Sequence, residues 1–402
     1  MRIDTGRIAA LLAGAAAAVI CGTPVAAQAA PATGTILGAG SAGAIGNSYI
    51  VVLKPGPAGV GAVSRTLTKT YGGEVADDYQ ATVRGFSVTM TAPQARRLAA
   101  DPAVRYVEQD ATVTLTGSTP AWGLDRIDQR QPALSKTYAA PSAAGVTAYV
   151  LDTGIRITHQ QFGGRATNGY DAVDRDNVSQ DCNGHGTHVA GTIGGSTWGV
   201  AKDVKLVAVR VLGCDGSGSY SHIIAGIDWV TQHAHRPAVA NMSLGGTVSK
   251  ALDDAVNRSI AAGVTYAVAA GNDKRDACRQ SPADDPAAIT VGATDDRDRR
   301  ASFSNYGRCL DLFAPGVRIE SASNRSNTAT MIMNGTSMAS PHVAGAAALV
   351  LGAHPNWTPA QVRDELVTQA TPGAVTSPGK GSPTKLLYTG FLNPQAGATS
   401  HR

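Results

Sequence analysis

From Trp122 onward the chain alternates short apolar segments with longer segments of helical period, and that alternation admits few folds. Strands are expected at Thr147–Leu151, Lys205–Val211, Val239–Ser243, Val264–Ala270 and Ile289–Ala293. Helices are expected at His185–Gly194, Ser221–His235, Lys250–Ala262, Ser337–Leu351 and Pro359–Ala370. Strands without a polar face must be covered on both sides. The pattern therefore predicts an α/β domain: a mostly parallel sheet with helices on both faces. An apolar fraction of 43% is enough to fill such a core, and 402 residues leave room for a second unit.

That second unit lies upstream. Tyr49–Leu53 reads as a strand stopped by Lys54-Pro55-Gly56, and Val63–Tyr71 as a helix stopped by Gly72-Gly73. Ala81–Met90 alternates as a strand, Pro93–Ala100 fits a short helix with proline in its first turn, and Val104–Val107 is a further strand. Residues 47–115 are thus expected to form a small α+β domain. Residues 30–46 are read as a linker and 392–402 as a flexible tail.

The first 29 residues read as an export signal. Arg2 and Arg7 precede an apolar run from Ile8 to Ile20, and Val25-Ala26-Ala27-Gln28-Ala29 offers small residues for cleavage. The run is shorter than the ~20 residues a membrane span needs. Cys21 raises a lipoprotein reading, but Ala18-Val19-Ile20 lacks the small residue wanted just before such a cysteine. Four cysteines then remain in an exported chain, Cys182, Cys214, Cys278 and Cys309. An even number there argues for disulfides. The count allows three pairings and does not choose among them. A zinc site would want a C-x-x-C spacing, which is missing.

The net charge is +4, from 34 basic and 30 acidic residues. It reads as mild and spread along the chain, with no case for nucleic acid or a membrane surface. Chemistry is concentrated elsewhere. In an open parallel sheet, functional groups gather beyond the carboxyl ends of strands. Asp152 follows one apolar run, Asn272 follows another, and His185 sits between two glycines where loop becomes helix. Ser337 opens a later helix. Alone, Asp152 is a turn residue and Ser337 an N-cap. Together they supply what a serine nucleophile requires: a base in reach, and a carboxylate to orient that base and stabilise its cation. Asn272 and the Ser337 backbone N–H can stabilise an oxyanion. Pro341 cannot bond back to the Ser337 carbonyl, which leaves the first helical turn irregular. His188 and His342 are read as core histidines.

Asp152-Thr153-Gly154, His185-Gly186-Thr187-His188 and Gly335-Thr336-Ser337-Met338-Ala339, with Pro341-His342-Val343-Ala344-Gly345, resemble the three signature blocks of the subtilisin-like serine peptidases. Tyr266–Asn272 and Ala301–Gly307 resemble the proteinase K branch, and within it the aqualysin group. The likeness runs over nearly all of residues 119–390. It implies a subtilisin-like catalytic domain at 119–391, a broad-specificity serine endopeptidase, and the triad Asp152, His185 and Ser337 with Asn272 at the oxyanion hole. It further implies that Gly216, Gly218, Tyr220, Ser243, Leu244 and Gly245 form the two edges that hold substrate as an added strand. Ala269, Ala270 and Gly271 would wall a pocket for bulky apolar or aromatic side chains. The implied disulfides are Cys182–Cys214 and Cys278–Cys309. Structural calcium is implied at Asp311 with the carbonyls of Pro286 and Ala288, and at Asp125, Asp128, Gln129 and Ser135. Asp174, Asp176 and Asp181 form a weaker acidic cluster. No catalytic cofactor is implied. Residues 47–115 resemble the inhibitory propeptide of these enzymes, so a zymogen that cleaves itself near 113–118 and works as a secreted monomer is expected.

Overall fold

The computed structural model describes residues 32–40, 44–79, 84–111 and 121–393. The expected signal, the expected 113–118 processing region and most of the expected tail lie outside the described residues. The chain divides into two compact units, one up to Thr116 and one from Gly117.

In the first unit, strands β1 (Ile36–Leu37), β2 (Ala44–Leu53), β3 (Glu74–Tyr79), β4 (Gly85–Thr89) and β5 (Val104–Ala111) form one sheet in the order β1-β5-β2-β4-β3. Helices α1 (Val60–Tyr71) and α2 (Ala92–Leu98) cover it. Val51, Leu53, Phe86 and Val88 meet Val60, Leu67, Ala95 and Leu98 in its core. The Thr91 amide and hydroxyl both reach the Gln94 side chain, which caps α2, and Pro93 falls in the first turn as expected. Two features differ from the sequence reading. β3 is an additional strand, and the region taken as a linker contributes β1 and the start of β2.

The second unit opens with α3 (Trp122–Ile127). Its elements then run β6 (Thr147–Asp152), β7 (Ala166–Asp171), α4 (His185–Gly194), β8 (Lys205–Arg210), α5 (Tyr220–His233), β9 (Ala238–Met242), β10 (Gly246–Thr247), α6 (Lys250–Ala261) and β11 (Val264–Ala269). They continue with β12 (Gln280–Ser281), β13 (Ile289–Thr294), β14 (Leu312–Pro315), β15 (Ile319–Ala322), β16 (Thr330–Met333), α7 (Thr336–Ala353) and α8 (Pro359–Gln369). Seven strands pair in the order β14-β13-β11-β9-β6-β8-β7, and every pairing is parallel.

Side-chain alternation assigns the faces. Ala148, Val150, Leu206, Ala208 and Val239 join α4, α7 and α8 on one side. Tyr149, Leu151, Val209, Ala240 and Met242 join α5 and α6 on the other. α7 is buried almost all round, which is why its sequence lacks a polar stripe. The five anticipated strands and five helices are present within a residue or two. Within the seven-stranded sheet β7 and β14 are additional, and α3, β10, β12, β15 and β16 are short additions outside it. The strand order reverses between β6 and β9, so the crevice at that switch opens beside Asp152, the last residue of β6. Cys182 pairs with Cys214 and Cys278 with Cys309.

Candidate active site

Asp152 is fully buried, and its Oδ1 accepts the Thr153 amide at 2.8 Å. The same oxygen meets His185 Nδ1 at 2.7 Å. His185 is the first residue of α4 and keeps 18% of its side chain exposed. Gly186 explains how the helix comes so close. A Cβ there would fall 2.1 Å from the Gly154 carbonyl oxygen and 3.2 Å from the Asp152 carboxylate. Burial lowers the His185 pKa, but the charge and hydrogen bond of Asp152 outweigh it and hold the imidazole above its ordinary value.

A second buried carboxylate fixes the loop that delivers His185. Asp181 accepts the Thr153 hydroxyl at 2.9 Å, the Asn183 and Gly184 amides at 2.9 and 2.8 Å, and both the amide and hydroxyl of Thr187. Its place in an acidic metal cluster is therefore a correction: every bond turns inward. Asp174 is taken by Arg210 at 2.6 Å, and Asp176 caps the Val178 amide. These three carboxylates do not converge.

Ser337 begins the second residue of α7. Pro341 offers no N–H to its carbonyl, and the Ser243 hydroxyl takes that role instead, donating at 2.8 Å. Ser243 is held in turn by Asn241, which accepts from Ser340 at 2.8 Å. The Ser337 hydroxyl donates to the Ser243 carbonyl at 3.1 Å. Asn272 stands just past β11. Its Oδ1 accepts the Thr336 amide at 2.9 Å and the Thr336 hydroxyl at 3.0 Å, which aims its NH2 outward. Gly335 has φ +155, and a Cβ on it would lie 3.5 Å from the Ser337 amide nitrogen and 3.6 Å from Asn272 Nδ2. A space between two donors is thus kept clear by a residue with no side chain. Thr153, Asp181, Asn241 and Thr336 are the supporting residues that sequence reasoning missed. Their signal was only adjacency to the motifs.

A cleft of about 820 Å³ runs from His185 between two rims, Gly216–Tyr220 and Ser243–Gly246. The Tyr220 hydroxyl donates to the Thr247 carbonyl at 2.6 Å and ties the rims together. Leu244 and Tyr220 both pack against the core between the sheet and α5 and α6. Ala269 and Ala270 are buried at the end of β11 and do not line this cleft. Gly271 closes against Gln280 and Asn305, which leave no room for a side chain.

The two calcium expectations fare differently. Asp311 Oδ1 accepts Arg363 Nη2 at 2.6 Å and Nε at 3.1 Å, and Oδ2 accepts the Thr290 amide at 2.8 Å. A guanidinium already neutralises this carboxylate, so the Asp311, Pro286 and Ala288 set does not fit a divalent cation. Asp125 and Asp128 fit better. Asp125 is fully buried and accepts the Ser135 amide and hydroxyl at 2.9 Å and the Lys136 amide at 2.7 Å. Asp128 Oδ1 is buried with no partner among the described residues. Burial, and then the charge of Asp125, push the Asp128 carboxyl up to about 7. The nearby Gln129 amide donates to the Ala133 carbonyl. An orphaned carboxylate oxygen beside a second carboxylate is what a hard cation relieves. Calcium is expected to raise the melting temperature by about 2–4 °C, and Asp128→Asn to remove that response. An identical melting curve with and without chelator would contradict the site.

His188 and His342 are core residues as anticipated. Burial lowers both to about 4, and their ring nitrogens meet the Ile319 and Met338 carbonyls at 2.9 and 2.8 Å. The unfolded chain binds their protons near pH 6.5, while the folded chain does not until about 4. Their contribution is complete above pH 6.5 and is lost as pH falls toward 4, about 3 kcal/mol each. Urea midpoints should therefore drop across that window. His188→Gln should flatten the drop.

A buried aspartate on a histidine, a helix-initial serine and an oriented asparagine beside a parallel sheet are the groups that a serine hydrolase of the Asp-His-Ser order needs. The model of the Subtilase family matches residues 128–394, and that of Peptidase inhibitor I9 matches residues 48–116. The chain belongs to the subtilase family and carries an inhibitor I9 domain ahead of the protease domain. It is 56% identical over 345 residues to an extracellular serine proteinase of Thermus sp. (strain Rt41A), covering 84% of each chain. It is 49% identical to alkaline serine exoprotease A of Vibrio alginolyticus, covering 80% of this chain and 62% of that one. A crystal structure of a cold adapted subtilisin-like serine proteinase shares 54% identity and superposes with a TM-score of 0.66, covering 68% of this chain and 99% of the other. The protein is a serine proteinase. Among the described residues, no helix is long and apolar enough to cross a membrane.

Proposed function

We propose that the chain is a secreted, broad-specificity endopeptidase made as a self-processing zymogen. The observation that carries this reading is the 2.7 Å contact of His185 Nδ1 with buried Asp152, on an imidazole whose pKa is held up by that carboxylate. His185 then has its other nitrogen free to act as base. The Ser337 hydroxyl rotates from the Ser243 carbonyl toward it and attacks the scissile carbonyl carbon. The proton passes to His185, and the oxyanion forms between Asn272 Nδ2 and the Ser337 amide. Collapse expels the amine, which takes the proton from His185, and leaves an acyl-enzyme. Water, deprotonated by His185, releases the acid. This chemistry needs no cofactor.

The acyl side of the substrate pairs as a strand with Gly216–Tyr220 and Ser243–Gly245. A preference for bulky apolar or aromatic side chains on the acyl side belongs to this reading, although Ala269, Ala270 and Gly271 do not line the cleft. Calcium, where it binds, is held by Asp125 and Asp128 and stabilises the fold. The I9 domain restrains its own protease until Ser337 cuts between residues 113 and 118, and the residues before it export the chain, which works as a monomer.

Expressing the parent and Ser337→Ala side by side tests this. The parent should shed everything up to the 113–118 segment, and the variant should keep it. Equal maturation of both, with no added protease, would contradict self-processing.

A further inference from the structure

Two carboxylates near the cleft turn inward. Asp152 is buried against His185 and the Thr153 amide, and Asp181 is buried beneath the loop that carries His185. Asp215 does the opposite: it is exposed and lines the cleft. Among the described residues that line the cleft, Asp215 is the only carboxylate, and none is lysine or arginine.

The carboxylate itself is held. Its Oδ1 accepts the Ser217 amide at 3.0 Å, and its Oδ2 accepts the Ser217 hydroxyl at 2.6 Å. Two backbone bonds close the turn beneath it: the Gly213 amide donates to the Ser217 carbonyl at 2.7 Å, and the Gly216 amide to the Gly213 carbonyl at 3.0 Å. The Ser217 hydroxyl, and then its amide, keep the Asp215 carboxyl below the ordinary aspartate value. It is therefore ionised wherever a histidine can act as base. Two donors leave lone pairs on both oxygens. Asp215 has no ion-pair partner among the described residues. Arg210, the cation nearest in sequence, is already neutralised by Asp171 and Asp174 at 2.7 and 2.6 Å.

Its ties place it along the cleft. The Cys214 carbonyl accepts Asn183 Nδ2 at 2.9 Å, and Cys214 is disulfide-bonded to Cys182. The residue before Asp215 is thus fastened to the loop that ends in His185. Asp215 stands at the His185 end of the Gly216–Tyr220 rim. A strand laid on that rim with its scissile bond at His185 carries its nearest acyl-side residues past this carboxylate. Resting on the acyl-side assignment of that rim, we infer that Asp215 is a specificity-determining residue: it recognises the ammonium of lysine or the guanidinium of arginine on a substrate residue just before the scissile bond. Successive side chains of an extended strand point to opposite faces, so of two neighbouring substrate residues only one meets Asp215.

Internally quenched peptides that carry Lys, Gln or Glu at the second or the third residue before the scissile bond test this on the active enzyme. At about 0.05 M salt, kcat/KM should be about three- to fivefold higher for Lys than for Gln at one of the two positions, and lower for Glu there. The gain should close in about 1 M NaCl, where screening acts within about 3 Å. Asp215→Asn should remove the difference between Lys and Gln, and Asp215→Lys should turn the preference toward Glu. Asparagine can still accept the Ser217 amide, so the turn is kept. Each ratio is internal to one preparation and does not depend on how much of a variant folds. No Lys preference in the parent, one that survives Asp215→Asn, an equal gain at both positions, or an equal gain for Lys placed after the scissile bond would overturn the inference. Cleavage of the Gln peptide in those cases leaves the endopeptidase reading standing. Failure to cleave any of the peptides would overturn both.

Discussion

Replacing Ser337 with alanine is expected to lower kcat by about a million-fold, the loss that removal of the nucleophile causes in such triads. The backbone should survive the change. The start of α7 is held by the Ser243 hydroxyl on the Ser337 carbonyl and by the Thr336 amide on Asn272, and neither bond uses the Ser337 hydroxyl. What alanine removes from the resting structure is one hydrogen bond to the Ser243 carbonyl. KM for a peptide should therefore stay close to that of the parent, because the cleft rims are untouched. The variant cannot mature itself under the proposed scheme, so the comparison is made on chain cleaved in trans by trace parent enzyme, later inhibited. A residual rate within tenfold of the parent would exclude Ser337 as nucleophile.

Asp152→Asn is expected to lower kcat about ten-thousand-fold with little loss of stability. The carboxylate accepts from His185 Nδ1, so it selects the tautomer whose far nitrogen can take the serine proton. An asparagine can present its NH2 there and hold the opposite tautomer. The pH profile gives a second readout. Burial alone lowers the His185 pKa, and the charge and hydrogen bond of Asp152 raise it above the ordinary value. Removing that charge leaves burial dominant, so the acid limb of kcat/KM should move to lower pH in the variant. An acid limb that stays in place would mean that another group sets it.

The proposed triad is legible because its members stand in short motifs with glycines at the closest approaches. Gly186 and Gly335 mark places where a Cβ would touch the Asp152 region or the space between the oxyanion donors. The parallel sheet was legible because strands buried on both faces carry unbroken apolar runs. β7 (ATNGYD) and β14 (LFAP) escaped for the opposite reason. β7 is an edge strand with polar residues, and β14 is short and ends in proline. β3 (EVADDY) is likewise an acidic edge strand without an apolar face. Long-range polar partners were beyond a linear reading. The Arg363 pairing that fills the Asp311 site spans 52 residues, and the inward role of Asp181 depends on where Thr153 and Thr187 fold.

The central claim is that Ser337, activated by His185, carries the chemistry. Treating the mature enzyme with a fluorophosphonate and sequencing the modified peptide tests it most directly. One adduct should form, on Ser337, and its rate should rise with pH as His185 loses its proton. The His185→Ala variant should label orders of magnitude more slowly. Full loss of activity with the adduct on another residue, or labelling of Ser337 indifferent to His185, would contradict the account.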